Sequence, residues 1–263
     1  MNRQPLSVVV TTLDSADTLP ACLASVAWAE DIVVLDSGST DATRRIAEAH
    51  GARFLTRPFT GYSEQKQAAI DLARHDWVLL LDSDEKLAEG GEDALRAVLA
   101  DPDRWGYVLW RREWLFWRWQ SPRSRLNHYV RLFDRRHARM NGLKVHETVA
   151  VDGPVRQLDV MIDHYGERDI TGRTHKANRY SSLQVEDLER RGVGQLKLRL
   201  VCYPWIAFVR YYFLRGHWRE GWAGFVAARV HAFYAFLKYA KLYEVRRGRV
   251  AVDRDPGPGT RDP

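Results

Sequence analysis

Short apolar runs and helical patterns alternate over the first hundred residues. Three runs of mainly β-branched and aliphatic residues, at 7–12, 32–35 and 77–81, have the length and composition of strands that are buried on both faces. Apolar residues at helical spacing separate these runs, and one predicted helix, 40–50, is followed by Gly51 as a C-terminal cap. Strands connected through helices predict right-handed crossovers and a parallel sheet. Such sheets bind ligands outside the carboxyl ends of their strands.

The pattern changes twice further along the chain. From residue 101 to about 163 the sequence is aromatic and arginine-rich with shorter β-like pieces, and from about 171 it is helical again. The last stretch consists mainly of Pro, Gly, Asp and Arg. We therefore predict a catalytic domain at 1–170, a helical extension at 171–250 and a disordered tail at 251–263.

The composition is that of a globular protein, with 45% hydrophobic and 28% charged residues. A net charge of +6 and ten tryptophans fit a nucleic acid, an anionic membrane surface or a phosphorylated substrate, and composition alone does not choose among them. The two cysteines, Cys22 and Cys202, are far apart, which argues against a disulfide framework and suits a reducing compartment. We predict no signal peptide before the first strand and no spanning helix.

Two carboxylates follow the third predicted strand directly. Asp82 and Asp84 stand at i and i+2, so on an extended chain their side chains point the same way. Both can therefore address one hard cation, and Mg²⁺ or Mn²⁺ commonly completes its oxygen shell with substrate phosphate. A solvated acidic turn is the alternative, because Asp-x-Asp is a short pattern.

A similar arrangement follows the second predicted strand. Asp36 begins a turn of small residues in which Gly38 lets the backbone approach a ligand, and the helix start after it offers amides to an anion. The alternative is a capped turn in which Asp36 only satisfies backbone donors. A Rossmann dinucleotide site would need glycines after the first strand, but the turn at 11–17 contains none.

The order of these motifs resembles glycosyltransferase family 2. The resemblance rests on Thr-Thr-Leu-Asp14, Asp36-Ser-Gly-Ser-Thr-Asp41, Gly61-Tyr-Ser-Glu-Gln-Lys66 and Leu81-Asp82-Ser-Asp84-Glu85. A narrower resemblance is to bacterial lipopolysaccharide core β-1,4-glucosyltransferases. It rests on Arg131-Leu-Phe, Asn141-Gly-Leu-Lys-Val-His146-Glu147, His164-Tyr, Asn178-Arg-Tyr-Ser and Phe236-Leu-Lys-Tyr-Ala-Lys.

The family implies a fold and a reaction. The fold is of the type called GT-A, a Rossmann-like mixed sheet flanked by helices that binds nucleotide-diphospho-sugars. The implied reaction is inverting transfer of a hexose, glucose in the narrower group, from a UDP-sugar to a lipid-linked or phosphorylated saccharide such as the lipopolysaccharide inner core. Mg²⁺ or Mn²⁺ is the implied cofactor.

The family also implies site residues. Asp14 and Asp36 would contact the base and ribose, Asp82 the ribose or a metal-bound water, and Lys66 a phosphate. The full predicted donor set is Thr12, Asp14, Asp36, Gly38, Lys66 and Asp82. The predicted metal set is Asp84, Asp82 and His164, and a hydrogen-bonded structural role is the alternative for His164. Two positions depart from the family pattern: Leu13-Asp14-Ser15 stands where relatives often carry Tyr-Asn-Glu, and Gln67 where they often carry Asn.

Transfer with inversion also needs a base for the acceptor hydroxyl. Glu147 matches the His-Glu of relatives, and we prefer it to Asp152 and Asp163. Contacts to the acceptor or to phosphate are predicted for Arg131, for His146 and, in a cluster of Arg and Trp that can stack on sugar faces, for Trp114. Each of these three has a structural alternative, as a strand-end arginine, a hydrogen-bonded histidine and a core tryptophan respectively.

The last third of the chain predicts contact with a membrane. Residues 200–209 are apolar but broken by Pro204 and too short to span a bilayer. A helical stripe flanked by Arg229 and Lys241 suits a helix in the interface of an anionic membrane, so the protein is expected in the cytoplasm, peripheral on the inner face of the bacterial inner membrane. Packing on the catalytic domain or on a second subunit is the alternative. The stripe comprises Trp222, Val226, Val230, Phe233, Leu237 and Ala240.

Two other functions remain open at this point. A metal-dependent sugar nucleotidyltransferase would share the sheet and the Asp-x-Asp, but it usually needs a glycine-rich loop after the first strand. A non-enzymatic, basic and aromatic binder of membranes or nucleic acid would leave the predicted site carboxylates without a common purpose. We expect no nucleic-acid partner.

Overall fold

The computed structural model describes residues 3–142, 147–166 and 169–252, without the side chains of the last four of these. The chain forms two compact units. The first comprises the chain up to Glu113 together with Leu126–Gly166, and the second comprises Trp114–Arg125 and everything after Gly166.

The described residues form strands and helices that alternate in the first half of the chain. The strands are β1 (Leu6–Thr12), β2 (Asp31–Asp36), β3 (Arg53–Thr56), β4 (Trp77–Asp82), β5 (Glu85–Leu87), β6 (Gly106–Leu115), β7 (Arg118–Trp119), β8 (Asn127–Asp134), β9 (Ala138–Met140), β10 (Val149–Val151) and β11 (Val155–His164). The helices are α1 (Leu19–Ala24), α2 (Thr43–Ala49), α3 (Tyr62–Asp71), α4 (Gly91–Ala100), α5 (Ile170–Arg190), α6 (Leu196–Val209) and α7 (Trp222–Val252).

The central sheet of the first unit is mixed. Its order is β3-β2-β1-β4-β8-β6-β11-β5, and the first four strands are parallel, which confirms the predicted runs at 7–12, 32–35 and 77–81. Beyond β4 the sheet is mixed, because β8 runs antiparallel to both β4 and β6, and β5 antiparallel to β11. Strands β6 and β11 are parallel to each other. The mixed sheet agrees with the fold that the family resemblance implies.

Both faces of the parallel strands are buried. Val8 and Val10 of β1 pack in one apolar cluster and Val9 packs in another, on the opposite face of the sheet. Burying each such side chain stabilises the fold by about 1.5–3 kcal/mol, so the runs at the centre of the sheet hold their register firmly. The polar residues at the carboxyl ends of β1, β2 and β4 are therefore held on a rigid edge.

The second unit is largely helical. Its hairpin pairs β7 with the end of β6, and α7 packs against both α5 and α6. The face of α7 that packs is made mainly of small side chains, which allow close approach. These are Ala223, Ala227, Ala228, Ala232 and Ala235, followed by Tyr239 and Leu242. In the described part of the chain, no helix is long and apolar enough to cross a bilayer.

The predicted stripe of α7 is therefore not its packing face. Trp222 and Phe233 are exposed, and Val226, Val230, Leu237 and Ala240 are partly buried. Lys241, expected to face lipid headgroups, instead donates to the backbone and side-chain oxygens of Asn178 at 2.7 Å each and ties α7 to α5.

Candidate active site

The turns after β1 and β2 are bonded to each other. The backbone N–H of Asp14 donates to Ser39 Oγ at 2.7 Å, and the N–H of Thr40 donates to Asp14 Oδ1 at 2.8 Å. The N–H of Ala16 donates to Asp41 Oδ2 at 2.9 Å. Asp14 holds a left-handed φ of 45°, a conformation that Asp tolerates better than most residues. Asp14, which is predicted to contact the sugar donor, thus lies in a turn that is held by hydrogen bonds to the turn after β2.

The carboxylate of Asp36 accepts hydrogen bonds from the turn that follows it and from the end of β1. Its side chain accepts from Thr12 Oγ1 at 2.9 Å and from Ser39 Oγ at 2.5 Å through Oδ1, and from the N–H groups of Gly38 and Ser39 through Oδ2. Only 2% of the residue is exposed. This arrangement is the capped turn that the sequence left as the alternative, so Thr12 and Asp36 shape the turn rather than reach out of it.

The turn leaves space above Gly38. Its φ is +106°, which strains any other residue, and a Cβ added there would meet no heavy atom within 4 Å. A ligand can therefore approach the backbone here, next to the exposed Asp14.

Lys66 lies beside the end of β4. It is 8% exposed on α3, and its Nζ lies 2.9 Å from Asp82 Oδ1 and 3.4 Å from Glu147 Oε1. Burial lowers the pKa of Lys66, but the two carboxylates outweigh burial and raise it above its ordinary value. Burial raises the pKa of Asp82, but the positive charges of Lys66 and Arg131 outweigh burial and hold that pKa well below its usual range. One buried ammonium group is thus shared by two of the predicted site residues.

Arg131 is buried behind Asp82. Its Nη2 lies 3.3 Å from Asp82 Oδ2 and 2.5 Å from Glu85 Oε1, and the residue is 5% exposed. The guanidinium is therefore occupied inside the protein, which corrects both the predicted acceptor contact and the strand-end surface alternative. Glu85, only 1% exposed, also pairs with Arg111 at 3.2 Å. No role was predicted for Glu85, although it directly follows the Asp-x-Asp motif.

His164, at the end of β11, lies between two carboxylates. Its Nε2 is 3.2 Å from Asp84 Oδ2 and its Nδ1 is 2.5 Å from Glu113 Oε2. Burial lowers the pKa of His164, but the two hydrogen bonds outweigh burial and raise it to about 10. Glu113 was not predicted, because the sequence cannot tell which charged residue of the aromatic stretch faces inward.

These pairs join into one line of alternating charge, which we call the ion-pair chain. It runs Glu147, Lys66, Asp82, Arg131, Glu85, Arg111, Glu113, His164, Asp84. Five carboxylates alternate with four cationic groups, so the chain carries an excess of one negative charge when His164 is protonated. Both of its ends are carboxylates. An incoming diphosphate would meet repulsion here unless a cation came with it.

The donor atoms at the Asp84 end could supply two ligands to a divalent ion. A carboxylate oxygen of Asp84 and the Nε2 atom of His164 lie side by side. A histidine ligand is commonly oriented by a carboxylate on its other nitrogen, and Glu113 is in that position at Nδ1. Within the described residues, no group of three or more His, Cys, Asp and Glu side chains is arranged to hold a metal. Asp82, the third predicted ligand, pairs with Lys66 and Arg131 instead. An ion at Asp84 and His164 would therefore take its remaining ligands from substrate phosphate and water.

The remaining predicted residues separate into three cases. His146 lies outside the described residues. Trp114 belongs to the second unit, where its Nε1–H donates to Phe116 O at 3.0 Å. Asp163 is 4% exposed and paired with Arg112 at 2.7 Å, which leaves it unsuited as a base, whereas Asp152 is exposed in a turn.

Known proteins resemble this chain over most of its length. The model of glycosyl transferase family 2 matches residues 7–150. The lipopolysaccharide core biosynthesis glycosyltransferase LpsC of Rhizobium meliloti (strain 1021) is 32% identical over 251 residues, 92% of this chain and 93% of the relative. An uncharacterized glycosyltransferase of Rickettsia typhi is 30% identical over 229 residues, 82% of this chain and 78% of the relative.

Likeness to solved structures is partial. Glucosyl-3-phosphoglycerate synthase from Mycobacterium tuberculosis, crystallised with Mn²⁺, uridine diphosphate and phosphoglyceric acid, is 24% identical over 42% of this chain and 43% of that one, with a TM-score of 0.36. The family match spans the strand ends and most of the ion-pair chain, from Lys66 to Glu147. The nucleotidyltransferase and the non-enzymatic alternatives are thereby excluded. The chain belongs to glycosyltransferase family 2 and is a glycosyltransferase.

Proposed function

We propose that the enzyme transfers a hexose, glucose in the first instance, from a UDP-sugar to a lipid-linked saccharide with inversion. The ion-pair chain is the observation that carries this proposal. It presents one carboxylate suited to a base and another suited to a divalent ion, with the buried Lys66 in contact with the first of them. The name of the Rhizobium meliloti relative, a lipopolysaccharide core biosynthesis glycosyltransferase, supports a lipopolysaccharide core saccharide as the acceptor.

The donor would lie along the strand ends. The nucleoside would approach the turn at Gly38 and Asp14, where the backbone is open, while Thr12 and Asp36 hold that turn in shape. The diphosphate would then replace one of the two carboxylates as a partner of Lys66. Asp82 keeps a role in this arrangement by holding Lys66 in place.

Asp84 and His164 would hold Mg²⁺ or Mn²⁺ together with the diphosphate. When bound, the ion neutralises the charge that develops on the departing diphosphate. The protein would supply Asp84 Oδ2 and His164 Nε2 as ligands, and Glu113 bonds to the other nitrogen of the imidazole.

Glu147 would act as the base. Its side chain is 22% exposed, so an acceptor hydroxyl can reach it, and it is not enclosed as Asp163 is. In the transfer, the hydroxyl oxygen bonds to the anomeric carbon, the bond from that carbon to the diphosphate breaks, and the hydroxyl proton passes to Glu147. The departing UDP carries the electron pair away.

The proposed donor can be tested by binding and transfer together. We expect UDP with Mn²⁺ to raise the melting temperature of the protein more than other nucleoside diphosphates do, because a ligand of the folded state stabilises it. Mass spectrometry should then find one added hexose on a deacylated inner-core acceptor incubated with the matching UDP-sugar. A protein that binds no nucleoside diphosphate with Mn²⁺ would contradict the proposal.

We also propose that the second unit lies on an anionic membrane, on the cytoplasmic face of the inner membrane. The support is an exposed apolar face on α6 rather than the predicted stripe of α7. Its residues recur at i, i+3, i+7, i+8 and i+11; they are Leu198, Val201, Trp205, Ile206 and Val209, each between 47% and 67% exposed. Arg229 lies over the rings of Trp205 and Phe208, as cations do at bilayer interfaces.

Replacing Trp205 and Ile206 with Glu should release the protein from vesicles of phosphatidylglycerol and phosphatidylethanolamine. The two changes remove apolar area from the interface and add charge that anionic headgroups repel. Leu183→Glu is the matched control, because Leu183 is 67% exposed on α5, outside this face. Co-sedimentation at low and high salt measures the effect, and wild-type protein that ignores these vesicles at low salt would refute the membrane contact.

A further inference from the structure

The sheet itself brings Glu113, His164 and Asp84 together. Strand β11 pairs in parallel with β6 so that His164 stands opposite Glu113, and pairs antiparallel with β5 so that His164 also stands opposite Glu85. The carbonyl of Asp84 accepts from the N–H of Tyr165 at 2.9 Å. Strand pairing therefore fixes the backbones of Glu113 and His164, the bond from Tyr165 fixes that of Asp84, and the imidazole lies between carboxylates from both sides.

The carboxylate of Glu113 is itself held from behind. Its Oε1 accepts from Nε of Arg111 at 3.1 Å and from Nδ2 of Asn127 at 3.2 Å, and Arg111 and Asn127 are register partners on β6 and β8. Oε2 is turned to His164 Nδ1. With one oxygen anchored by two donors and the other facing the ring, Glu113 has little freedom to move away from the imidazole.

We propose that Glu113 is a positioning residue that fixes the His164 ring so that Nε2 faces the divalent ion beside Asp84. This inference rests on the proposed metal-dependent transfer. A histidine ligand must present a bare nitrogen, and an N–H bonded to a carboxylate at the other nitrogen selects that tautomer and orientation. A purely structural role, in which Glu113 only balances Arg111, would leave the metal site unaffected.

Mn²⁺ affinity separates the two roles. We expect Glu113→Ala to weaken Mn²⁺ binding to the full-length protein, measured in saturating UDP by the electron paramagnetic resonance signal of free Mn²⁺, by about 10–100-fold. Glu113→Gln keeps the size and a carbonyl that can accept from Nδ1, so it should recover much of that affinity. Nitrogen-15 shifts of His164 in the Mg²⁺ and UDP complex should show Nδ1 protonated in the wild type and a mixed tautomer in Glu113→Ala.

Asp163→Asn is the matched control. Asp163 is a buried carboxylate one residue before His164 on β11, paired with Arg112, and adjacent residues of a strand point to opposite faces. This variant should lose comparable stability in thermal unfolding but keep wild-type Mn²⁺ affinity. Equal weakening in Asp163→Asn and Glu113→Ala would overturn the inference, because the effect would then be general to the sheet.

Two further outcomes are decisive. Wild-type Mn²⁺ affinity in a folded Glu113→Ala protein, or no Mn²⁺ binding by the wild type with UDP, would overturn the positioning role. The wild type could bind Mn²⁺ and UDP, and Glu113→Ala could weaken Mn²⁺ binding, while the wild type transfers no hexose. That result would refute the proposed function and leave the role of Glu113 intact.

Discussion

Asp84→Asn is expected to lower turnover by on the order of a thousandfold or more. The substitution keeps the shape of the side chain but removes the charge that pairs with His164 at 3.2 Å and that would hold the divalent ion. Metal stabilisation of a departing phosphate contributes several kcal/mol, and each 1.4 kcal/mol is about tenfold in rate. The measurement is hexose transfer from the UDP-sugar at a series of Mn²⁺ concentrations after treatment with chelator.

The wild type provides the first control in this experiment. Its activity should vanish in excess chelator and return with Mn²⁺, whereas the variant should stay inactive or need far more Mn²⁺. Circular dichroism should show the same fold for both, because Asp84 is partly exposed and its backbone bonds are untouched. Full wild-type activity in chelator would mean that Asp84 only pairs with His164 and that no metal takes part.

The strand ends were predictable because two independent signals agree there. Runs that are apolar at every position, such as the one before Asp82, exclude an amphipathic helix and mark buried parallel strands. A parallel sheet then places residues that directly follow its strands at one edge. Lys66 was assigned to the site through the family resemblance alone, because a lysine within a helix gives no local sign that it will be buried.

The partners behind these residues were not predictable. Glu85, Arg111 and Glu113 are charged residues that read as surface, and their burial depends on pairings among β5, β6, β8 and β11. Those pairings join positions far apart in the chain, and strands that mix polar and aromatic residues leave their register open. Such groups become identifiable only once the sheet order is known.

The second unit illustrates a limit of helical periodicity. The helix α7 is apolar on more than one face, and the spacing of its apolar residues predicted a membrane-facing stripe that includes Trp222 and Phe233, with packing on the protein as the alternative. Packing instead uses the alanine face, because small side chains let α7 approach its neighbours closely, and the large side chains stay exposed. Size complementarity between helices is a tertiary property that a hydropathy pattern does not contain.

Glu147→Gln is expected to lower turnover about a hundredfold or more while donor affinity changes little. Glutamine has nearly the same shape but cannot take the proton of the acceptor hydroxyl, and general-base catalysis contributes about 10²–10⁴-fold. Donor affinity should persist because Lys66 keeps Asp82 as a partner at 2.9 Å when the charge of Glu147 is lost. Single-turnover transfer measures the chemical step, and titration of UDP with Mn²⁺ measures affinity.

Two variants determine what a positive result means. Asp152→Asn removes the other carboxylate considered as the base, which is exposed in the turn after β10, and should leave turnover unchanged. Glu147→Asp retains a base but withdraws it by one methylene, so turnover should fall between the wild type and Glu147→Gln if distance to the hydroxyl matters. Should Glu147→Gln transfer hexose at a near-normal rate, the base lies elsewhere, and the contact of Glu147 with Lys66 would then serve only to balance the charge of that buried ammonium group.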